Sequence, residues 1–198
     1  FGLPGQDIAQ ATGDLLTATA LAPEHLSWYE LTIEPNTWFH RHPPERGDDE
    51  TRWEMQAAGY ALLQAAGYSR YETSAYARDG RQCRHNLNYW QFGDYLGIGA
   101  GAHGKITDAA AQRIYRVAKV RHPRNYLETA HTSQRILTRH ELKPDDVLLE
   151  FMMNALRLDH GFSTAEFTAA TGLPAGSIEP GIHLAVEQGL LQAGDRIQ

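Results

Sequence analysis

The sequence predicts an α/β protein in which helices and strands alternate, followed by a small, mostly helical module of the winged-helix type. Three observations support this prediction. Between residues 7 and 77, stretches with helical spacing of apolar residues alternate with short aromatic and β-branched runs. From Pro144 onward the pattern is helical throughout. The length of 198 residues and the hydrophobic content of 42% suffice for a buried core.

The first part of the chain shows an α-β-α-β order. A helix is predicted from Asp7 to before Pro23, and a strand buried on both faces over residues 25–33. A second helix should begin at Asp48 and end at Gly67, and a second strand should follow over residues 68–77. Short links between these elements favour parallel strands with right-handed crossovers, as in a partial barrel or an open sheet.

The middle of the chain contains two unusual segments. Residues 83–90 (CRHNLNYW) have the spacing of a helical turn, and residues 96–104 (LGIGAGAHG) contain glycines that permit close backbone approach. Residues 113–120 alternate as a half-exposed strand does, and a linking helix should follow to about residue 131. We place a domain boundary here, with domains at residues 1–131 and 132–198.

The second domain is predicted to contain three helices. These cover residues 145–158, residues 163–170 with a Ser163/Glu166 capping box, and residues 178–188. A strand should begin at Leu190 and Leu191. The last helix carries Glu179 and Glu187 and no lysine or arginine, so nucleic acid is not expected as a partner.

Charge is distributed unevenly along the chain. The net charge is −6 for residues 1–104, +6 for residues 105–143 and −6 for residues 144–198, by counting Lys, Arg, Asp and Glu along the sequence. A central basic block suits ligands that carry carboxylates. No apolar stretch is long enough for a transmembrane segment, and a single cysteine, Cys83, indicates a reducing compartment.

The segment around HNLNYW is the strongest candidate for a ligand site. One helical turn would place His85 beside Tyr89 and Asn86 beside Trp90, so that two polar and two aromatic groups converge. The alternative is a capping turn whose aromatic rings fill a gap under the sheet. Other motifs are weaker: the GxG at residues 97–99 lacks the rest of a dinucleotide fingerprint, and His40 and His42 lack a third metal ligand.

Several segments together carry a family resemblance, namely FGLPGQ, HLSWYELTIEPNT, YETSAYA, CRHNLNYWQFGDYLGIGAGAHGK and RVAKVRHP. With these segments the chain resembles the haem-chaperone branch of the radical-SAM proteins, which is similar to the oxygen-independent coproporphyrinogen III oxidases. The resemblance covers nearly the whole chain, and HNxxYW followed by GIGAGAHG is specific to this branch.

The resemblance implies a fold and a set of cofactors. The fold is the C-terminal part of a partial (β/α)6 radical-SAM barrel with a helical covering domain. The full-length members bind S-adenosylmethionine and a 4Fe-4S cluster, whose CxxxCxxC motif would lie upstream of Phe1. We therefore expect a fragment that is inactive on its own, with no catalytic residue assigned. Tyr29, Thr32 and His103 correspond to positions near the adenine of S-adenosylmethionine.

The resemblance also implies haem as bound cargo. His85 is our first candidate for the haem iron ligand and Cys83 the second, with Asn86, Tyr89 and Trp90 beside them. The expected partners are haem and haem-accepting respiratory proteins in the cytoplasm, and a peripheral membrane contact is left open. Two alternatives remain: oxidation of coproporphyrinogen III in porphyrin biosynthesis, and an acidic winged-helix-like interaction module.

Overall fold

The computed structural model describes all 198 residues and divides them into two compact units, Phe1–Cys83 and Arg84–Gln198. Each unit contains helices and one three-stranded sheet, so the α/β class is confirmed. The helices are α1 (Ile8–Ala20), α2 (Trp38–Arg41), α3 (Asp49–Ala65), α4 (Arg84–Trp90), α5 (Pro123–Thr129), α6 (Pro144–Ala155), α7 (Thr164–Thr171) and α8 (Glu179–Glu187). The strands are β1 (His25–Ser27), β2 (Ser69–Glu72), β3 (Ala75–Ala77), β4 (His103–Asp108), β5 (Arg113–Lys119) and β6 (Ile136–Glu141).

The two long helices of the first unit begin and end where the sequence predicts. The Asp7 carboxylate accepts a hydrogen bond from the backbone N–H of Gln10, whose side chain accepts one from the backbone N–H of Asp7. At the start of α3 the Asp48 carboxylate accepts a hydrogen bond from the backbone N–H of Thr51, and Gly67 follows α3 with a φ of +82°. The helices pack together over a core in which Leu15 and Leu63 are fully buried.

The sheet of the first unit differs from the prediction, because its pairings are antiparallel. Residues 68–77 form a hairpin, in which β2 and β3 are joined by a turn at Thr73 and Ser74, instead of one strand. Strand β3 also pairs with β1, which gives the order β1-β3-β2. A two-residue turn returns the chain beside itself, so no crossover helix is needed between β2 and β3.

The first predicted strand is also shorter than expected. Only His25–Ser27 pairs, since its partner β3 is three residues long, and the chain from Trp28 to Ile33 is irregular. Tyr29 and Thr32 therefore lie on an exposed irregular segment and not on a strand buried on both faces. The Trp28 ring instead covers Gly59 of α3.

The second unit contains an antiparallel sheet of order β4-β5-β6. The sequence predicts β5 and the following helix α5 but misses β4 and β6. Strand β4 continues directly from the glycine-rich segment, and β6 occupies residues that are expected to connect two domains. The boundary near residue 131 falls inside this unit and stays a prediction.

The three predicted helices of the terminal module are confirmed as α6, α7 and α8, including the Ser163/Glu166 capping box. They surround a core in which Phe151 contacts both Phe162 and Phe167 edge to face. The predicted strand at Leu190 is wrong: the chain pairs only at isolated bridges, where Ile197 meets Phe162 and Ala193. Leu190 is bonded back to Ala185 at the end of α8, which keeps it out of that pairing.

The close contact between Trp28 and α3 generates the first prediction. A Cβ at Gly59 would lie 2.0 Å from the Trp28 ring, so Gly59→Ala forces that ring to move. Overpacking costs roughly 1–3 kcal/mol and outweighs the gain in helix propensity of about 1 kcal/mol. We expect the free energy of unfolding, measured in urea, to fall by about 1 kcal/mol.

Gly13→Ala is the matched control, because Gly13 also lies inside a helix but has open space around its Cβ position. This variant should be stabilised by roughly 0.5–1 kcal/mol. Equal effects of the two substitutions would contradict the packing of Trp28 against Gly59.

Candidate functional site

The candidate site is built on the short helix α4, which carries the HNLNYW segment as predicted. The helix ends because Phe92 adopts a left-handed conformation, with a φ of +61°, and Gly93 follows. A Cβ at Gly93 would lie 2.2 Å from Oδ1 of Asn88, so only glycine fits under that side chain. Nδ2 of Asn88 donates to the carbonyl of Asp94 at 3.0 Å and thereby holds the turn against the helix.

Three aromatic side chains extend from this helix into the following loop. The rings of His85 and Tyr89 contact each other edge to face, with centroids 4.8 Å apart, as their i, i+4 spacing predicts. Tyr89 is in turn stacked on Tyr95, with centroids 4.2 Å apart and planes inclined by 29°. His85 itself is exposed. Burial and the neighbouring Tyr95 raise the pKa of Tyr89, so its phenol stays neutral at physiological pH.

Two large apolar side chains next to this stack are exposed. Leu96 and Ile98 have relative exposures of 78% and 89%, and they flank Gly97 directly after Tyr95. A Cβ at Gly97 would meet the backbone of His103 at 2.1 Å, which confirms that the glycines permit close approach. Large apolar side chains exposed close together in the chain are typical of interaction surfaces. Leu96 and Ile98 are not among the predicted site residues, although apolar residues between glycines are a usable signal.

A buried lysine fixes the loop that carries Tyr95. Lys105 is 2% exposed, and its Nζ donates to Oδ1 of Asp94 at 2.9 Å, to the carbonyl of Phe92 at 2.8 Å and to the hydroxyl of Thr107 at 3.3 Å. The ammonium also lies 4.2 Å from the centroid of the Phe92 ring. Burial lowers the pKa of Lys105, and the hydrogen bond from Nζ to Asp94 offsets this only in part.

Arg116 of β5 connects Tyr95 with the terminal module. Its Nη1 donates to the hydroxyl of Tyr95 at 2.6 Å, while Nε donates to Oε2 of Glu150 on α6 at 2.8 Å and Nη2 donates to the same oxygen. Burial lowers the pKa of Arg116, but its bonds to Glu150 and Tyr95 outweigh this effect and raise the pKa overall. This cation is therefore engaged inside the protein and is not available to a ligand.

Asn86 and Trp90 are both half-buried, and Tyr89, which contacts His85, also contacts the ring of Trp90. The guanidinium of Arg157 lies 4.3 Å from the centroid of the Trp90 ring, and the indole Nε1 is buried without a hydrogen-bond partner. Trp90 also lines a cavity of about 410 Å³ in the terminal module, whose apolar wall includes Phe151 and Phe162. Trp90 is thus a packing residue of this helix, as the alternative of a capping turn with packed aromatic rings expects.

Some cations of the basic block form no ion pair. Arg121, in the turn between β5 and α5, and Arg124, in the first turn of α5, are both exposed and unpaired. The glycine-rich segment runs beside this turn, since the N–H of Gly101 donates to the carbonyl of Val120 at 2.8 Å. Arg139 and Lys143 of the block are likewise exposed without an ion pair, whereas Lys105, Arg113 and Arg116 are paired within the unit. Arg121 and Arg124 are thus two of the free cations that this unit offers to a carboxylate-bearing ligand.

The remaining predicted residues are distributed over the two units. Cys83 is a half-buried free thiol directly before α4, and His103 is exposed at the start of β4. In the first unit, Thr32 donates to Glu34 at 3.2 Å and lines a hollow of about 280 Å³ with Trp38 and Phe39. No group of three or more His, Cys, Asp or Glu side chains converges as at a metal site. The residues present therefore do not fit an iron-sulfur cluster, which takes several thiolates.

Comparison with known proteins identifies relatives along nearly the whole chain. Residues 142–197 match the family model described as the HemN C-terminal domain. The Heme chaperone HemW of Escherichia coli (strain K12) is 48% identical over 191 residues, which are 96% of this chain and 49% of that protein. The Heme chaperone HemW of Haemophilus influenzae is 44% identical over 94% of this chain and 48% of the relative. The chain thus spans about half the length of the curated relatives it matches.

A solved structure shows the same fold. Coproporphyrinogen III oxidase (HemN) from Escherichia coli, described as a radical SAM enzyme, matches all of this chain and 49% of its own with a TM-score of 0.73. At 16% sequence identity this likeness concerns the fold, and it confirms the predicted likeness to part of a radical-SAM protein. Neither sheet of this chain is closed. No helix has both the length and the apolar composition that crossing a membrane would require.

The lysine that anchors the Tyr95 loop generates the second prediction. In Asp94→Asn, the buried Lys105 ammonium loses its only carboxylate. Removing one partner of a buried pair costs about 3–5 kcal/mol, but 43% of the Asp94 side chain is exposed. We therefore expect a loss of about 2 kcal/mol in the free energy of unfolding at pH 7. Glu141→Gln, which breaks an exposed pair with Arg113, should cost less than about 1 kcal/mol.

The same pair predicts a pH dependence. Burial raises the pKa of Asp94, but hydrogen bonds from Lys105 and Thr107 outweigh it and lower the pKa overall. The resulting stabilisation is fully present above the ordinary aspartate pKa of about 4 and is lost as the pH falls through the lowered value. The stability difference between the unchanged protein and Asp94→Asn should therefore shrink below about pH 4. If this difference in the free energy of unfolding, measured in urea, does not change with pH, the pairing of Asp94 with Lys105 is contradicted.

Proposed function

We propose that this chain, which belongs to the HemW-like branch of the HemN family, binds haem and takes part in its delivery to haem-accepting proteins. The observation that carries the proposal is the stack of His85, Tyr89 and Tyr95, which the exposed Leu96 and Ile98 follow directly in the chain. We call these five residues the aromatic surface. The name of the relatives, Heme chaperone HemW, supports the same function.

Each part of the aromatic surface suits one property of haem. The porphyrin ring is flat and apolar, so its faces gain from burial against Tyr89, Leu96 and Ile98. Imidazole is a common axial donor to haem iron, and His85 is exposed and oriented by Tyr89. The propionates are carboxylates, for which Arg121 and Arg124 are free cations of the same unit.

The other predicted residues have more limited roles in the proposal. Cys83 is the second candidate for the iron ligand, since it directly precedes α4. Asn86 and Trp90 would shape the edge of the site from the same helix. Tyr29, Thr32 and His103 would contact S-adenosylmethionine in the whole protein. A 4Fe-4S cluster would need ligands outside this chain, because Cys83 is its single cysteine.

We also propose a domain organisation, a cellular location and recipients, by analogy with the family. We propose that residues 1–131 are the barrel part and residues 132–198 the covering domain, in a cytoplasmic protein. The recipients would be haem-dependent respiratory proteins. The acidic terminal module, with Glu179 and Glu187 on α8, supports protein contact rather than nucleic acid as its use.

Oxidation of coproporphyrinogen III is the alternative function. The fold of the chain matches that of the oxidase HemN, and coproporphyrinogen carries carboxylates as haem does. The two functions differ in the need for an iron ligand, because coproporphyrinogen contains no metal. A role for His85 in binding iron therefore favours the chaperone function.

A titration of the intact protein with hemin, followed by the Soret band, tests the proposal. His85→Ala should weaken hemin binding at least about tenfold and change the Soret band. Substituting a residue that only hydrogen-bonds to a metal ligand already lowers metal affinity about 10–100-fold, and here the ligand itself is removed. His183→Ala is the matched control, since His183 is an exposed histidine on α8 outside the aromatic surface. It should bind hemin as the unchanged protein does.

Two outcomes would contradict the proposal in different ways. Unchanged hemin binding by His85→Ala, with weakened binding by Cys83→Ala, would move the iron ligand to the thiolate. Anaerobic turnover of coproporphyrinogen without stable hemin binding would replace the chaperone function by the oxidase function.

A further inference from the structure

A continuous series of contacts leads from the terminal module to His85. It begins at Glu150 on α6, passes through Arg116 on β5 and Tyr95 in the loop, and continues through Tyr89 to the imidazole of His85 on α4. Glu150 lies within residues 142–197, which match the HemN C-terminal domain. The five residues lie on four different segments of the second unit.

The first half of the series is rigid. The side chains of Arg116 and Glu150 are 22% and 29% exposed, and two guanidinium nitrogens donate to one carboxylate oxygen. A planar guanidinium fixed at two nitrogens has little rotational freedom left. Its third nitrogen therefore points in a set direction, toward the hydroxyl of Tyr95 at 2.6 Å.

The second half transmits this orientation through ring packing. Tyr95 is held at its hydroxyl by Arg116 and at its backbone by two hydrogen bonds with Lys105, of 3.0 and 3.1 Å. Tyr89 stacks on this fixed ring. The orientation of the Tyr89 ring is therefore restricted to those that keep the two rings stacked. The imidazole of His85 then rests against Tyr89 at an angle of 68°.

We propose that Tyr95, Arg116 and Glu150 are positioning residues that orient the His85 imidazole for its ligand. This inference rests on the proposed haem-binding function for the identity of that ligand. It gives the C-terminal domain a part in the site, because Glu150 supplies the carboxylate at the far end of the series. An exposed histidine loses rotational freedom on binding iron, and prior orientation reduces that cost.

The direct test observes His85 without any ligand. In the intact protein labelled with ¹⁵N at its histidines, NMR resolves the ring signals of His85, which His85→Ala assigns by their loss. Tyr95→Phe and Glu150→Gln should shift these signals, because the first variant removes the hydrogen bond to Arg116 and the second removes the charge that holds Arg116, while both keep the side-chain volume. Glu141→Gln removes a carboxylate from the neighbouring strand and should leave the signals in place.

The second measurement is the hemin affinity of the same variants. Tyr95→Phe and Glu150→Gln should bind hemin about three- to tenfold more weakly than the unchanged protein, with His85 still the ligand in the Soret spectrum. Tyr95→Leu, which also removes the stacked ring, should be weaker than Tyr95→Phe. Glu141→Gln should match the unchanged protein.

The two measurements separate failure of the inference from failure of the proposed function. If His85→Ala binds hemin normally, the proposed ligand is wrong, while shifted His85 signals in Glu150→Gln still support the positioning role. If the His85 signals in Tyr95→Phe and Glu150→Gln coincide with those of Glu141→Gln, the positioning role is overturned whatever the hemin affinity. Circular dichroism and melting curves confirm that each variant is folded.

Discussion

The second unit depends on the burial of one ammonium group. Placing the charge of Lys105 at 2% exposure costs several kcal/mol unless other groups solvate it. Asp94, Thr107 and the carbonyl of Phe92 accept hydrogen bonds from this ammonium. Phe92 and Asp94 lie in the turn after α4, and Thr107 lies on β4. Because Lys105 on β4 needs these partners, the turn after α4 is held against β4. The same requirement also stabilises the left-handed backbone at Phe92, which ends the helix and directs the chain toward Tyr95.

Local signals in the sequence predicted the helices well, since capping is a short-range interaction. Asp7, Asp48 and Ser163 each act on a backbone N–H three residues ahead, so the sequence contains everything needed to locate them. The hairpin between β2 and β3 was missed for the opposite reason. Its turn residues are Thr73 and Ser74, which lack the glycine, asparagine or proline that usually marks a tight turn. Strand direction then had to be inferred from element order, which suggested parallel pairing.

The same distinction applies to the candidate site. Helical spacing predicted the contact between His85 and Tyr89, because both residues lie on one helix. Tyr95, Arg116 and Glu150 could not be predicted, since the bonds that join them span 21 and 34 residues of sequence. Fixing such contacts requires the register of β5 against β4 and the docking of α6. The resemblance to a family drew attention to the HNLNYW segment but not to the interactions that hold it.

Net charge was an imperfect guide to the same site. The block of residues 105–143 has an excess of six positive charges. However, Lys105 and Arg116 form ion pairs with Asp94 and Glu150 within the fold. Cations that are buried and paired stabilise the protein, and a ligand cannot use them without breaking those pairs. The exposed cations of the block that form no ion pair include Arg121, Arg124, Arg139 and Lys143. On the proposed function, this arrangement suits a protein that must release its cargo. Contacts at an exposed histidine, exposed apolar side chains and solvated arginines are individually weak, and a recipient can displace them one at a time.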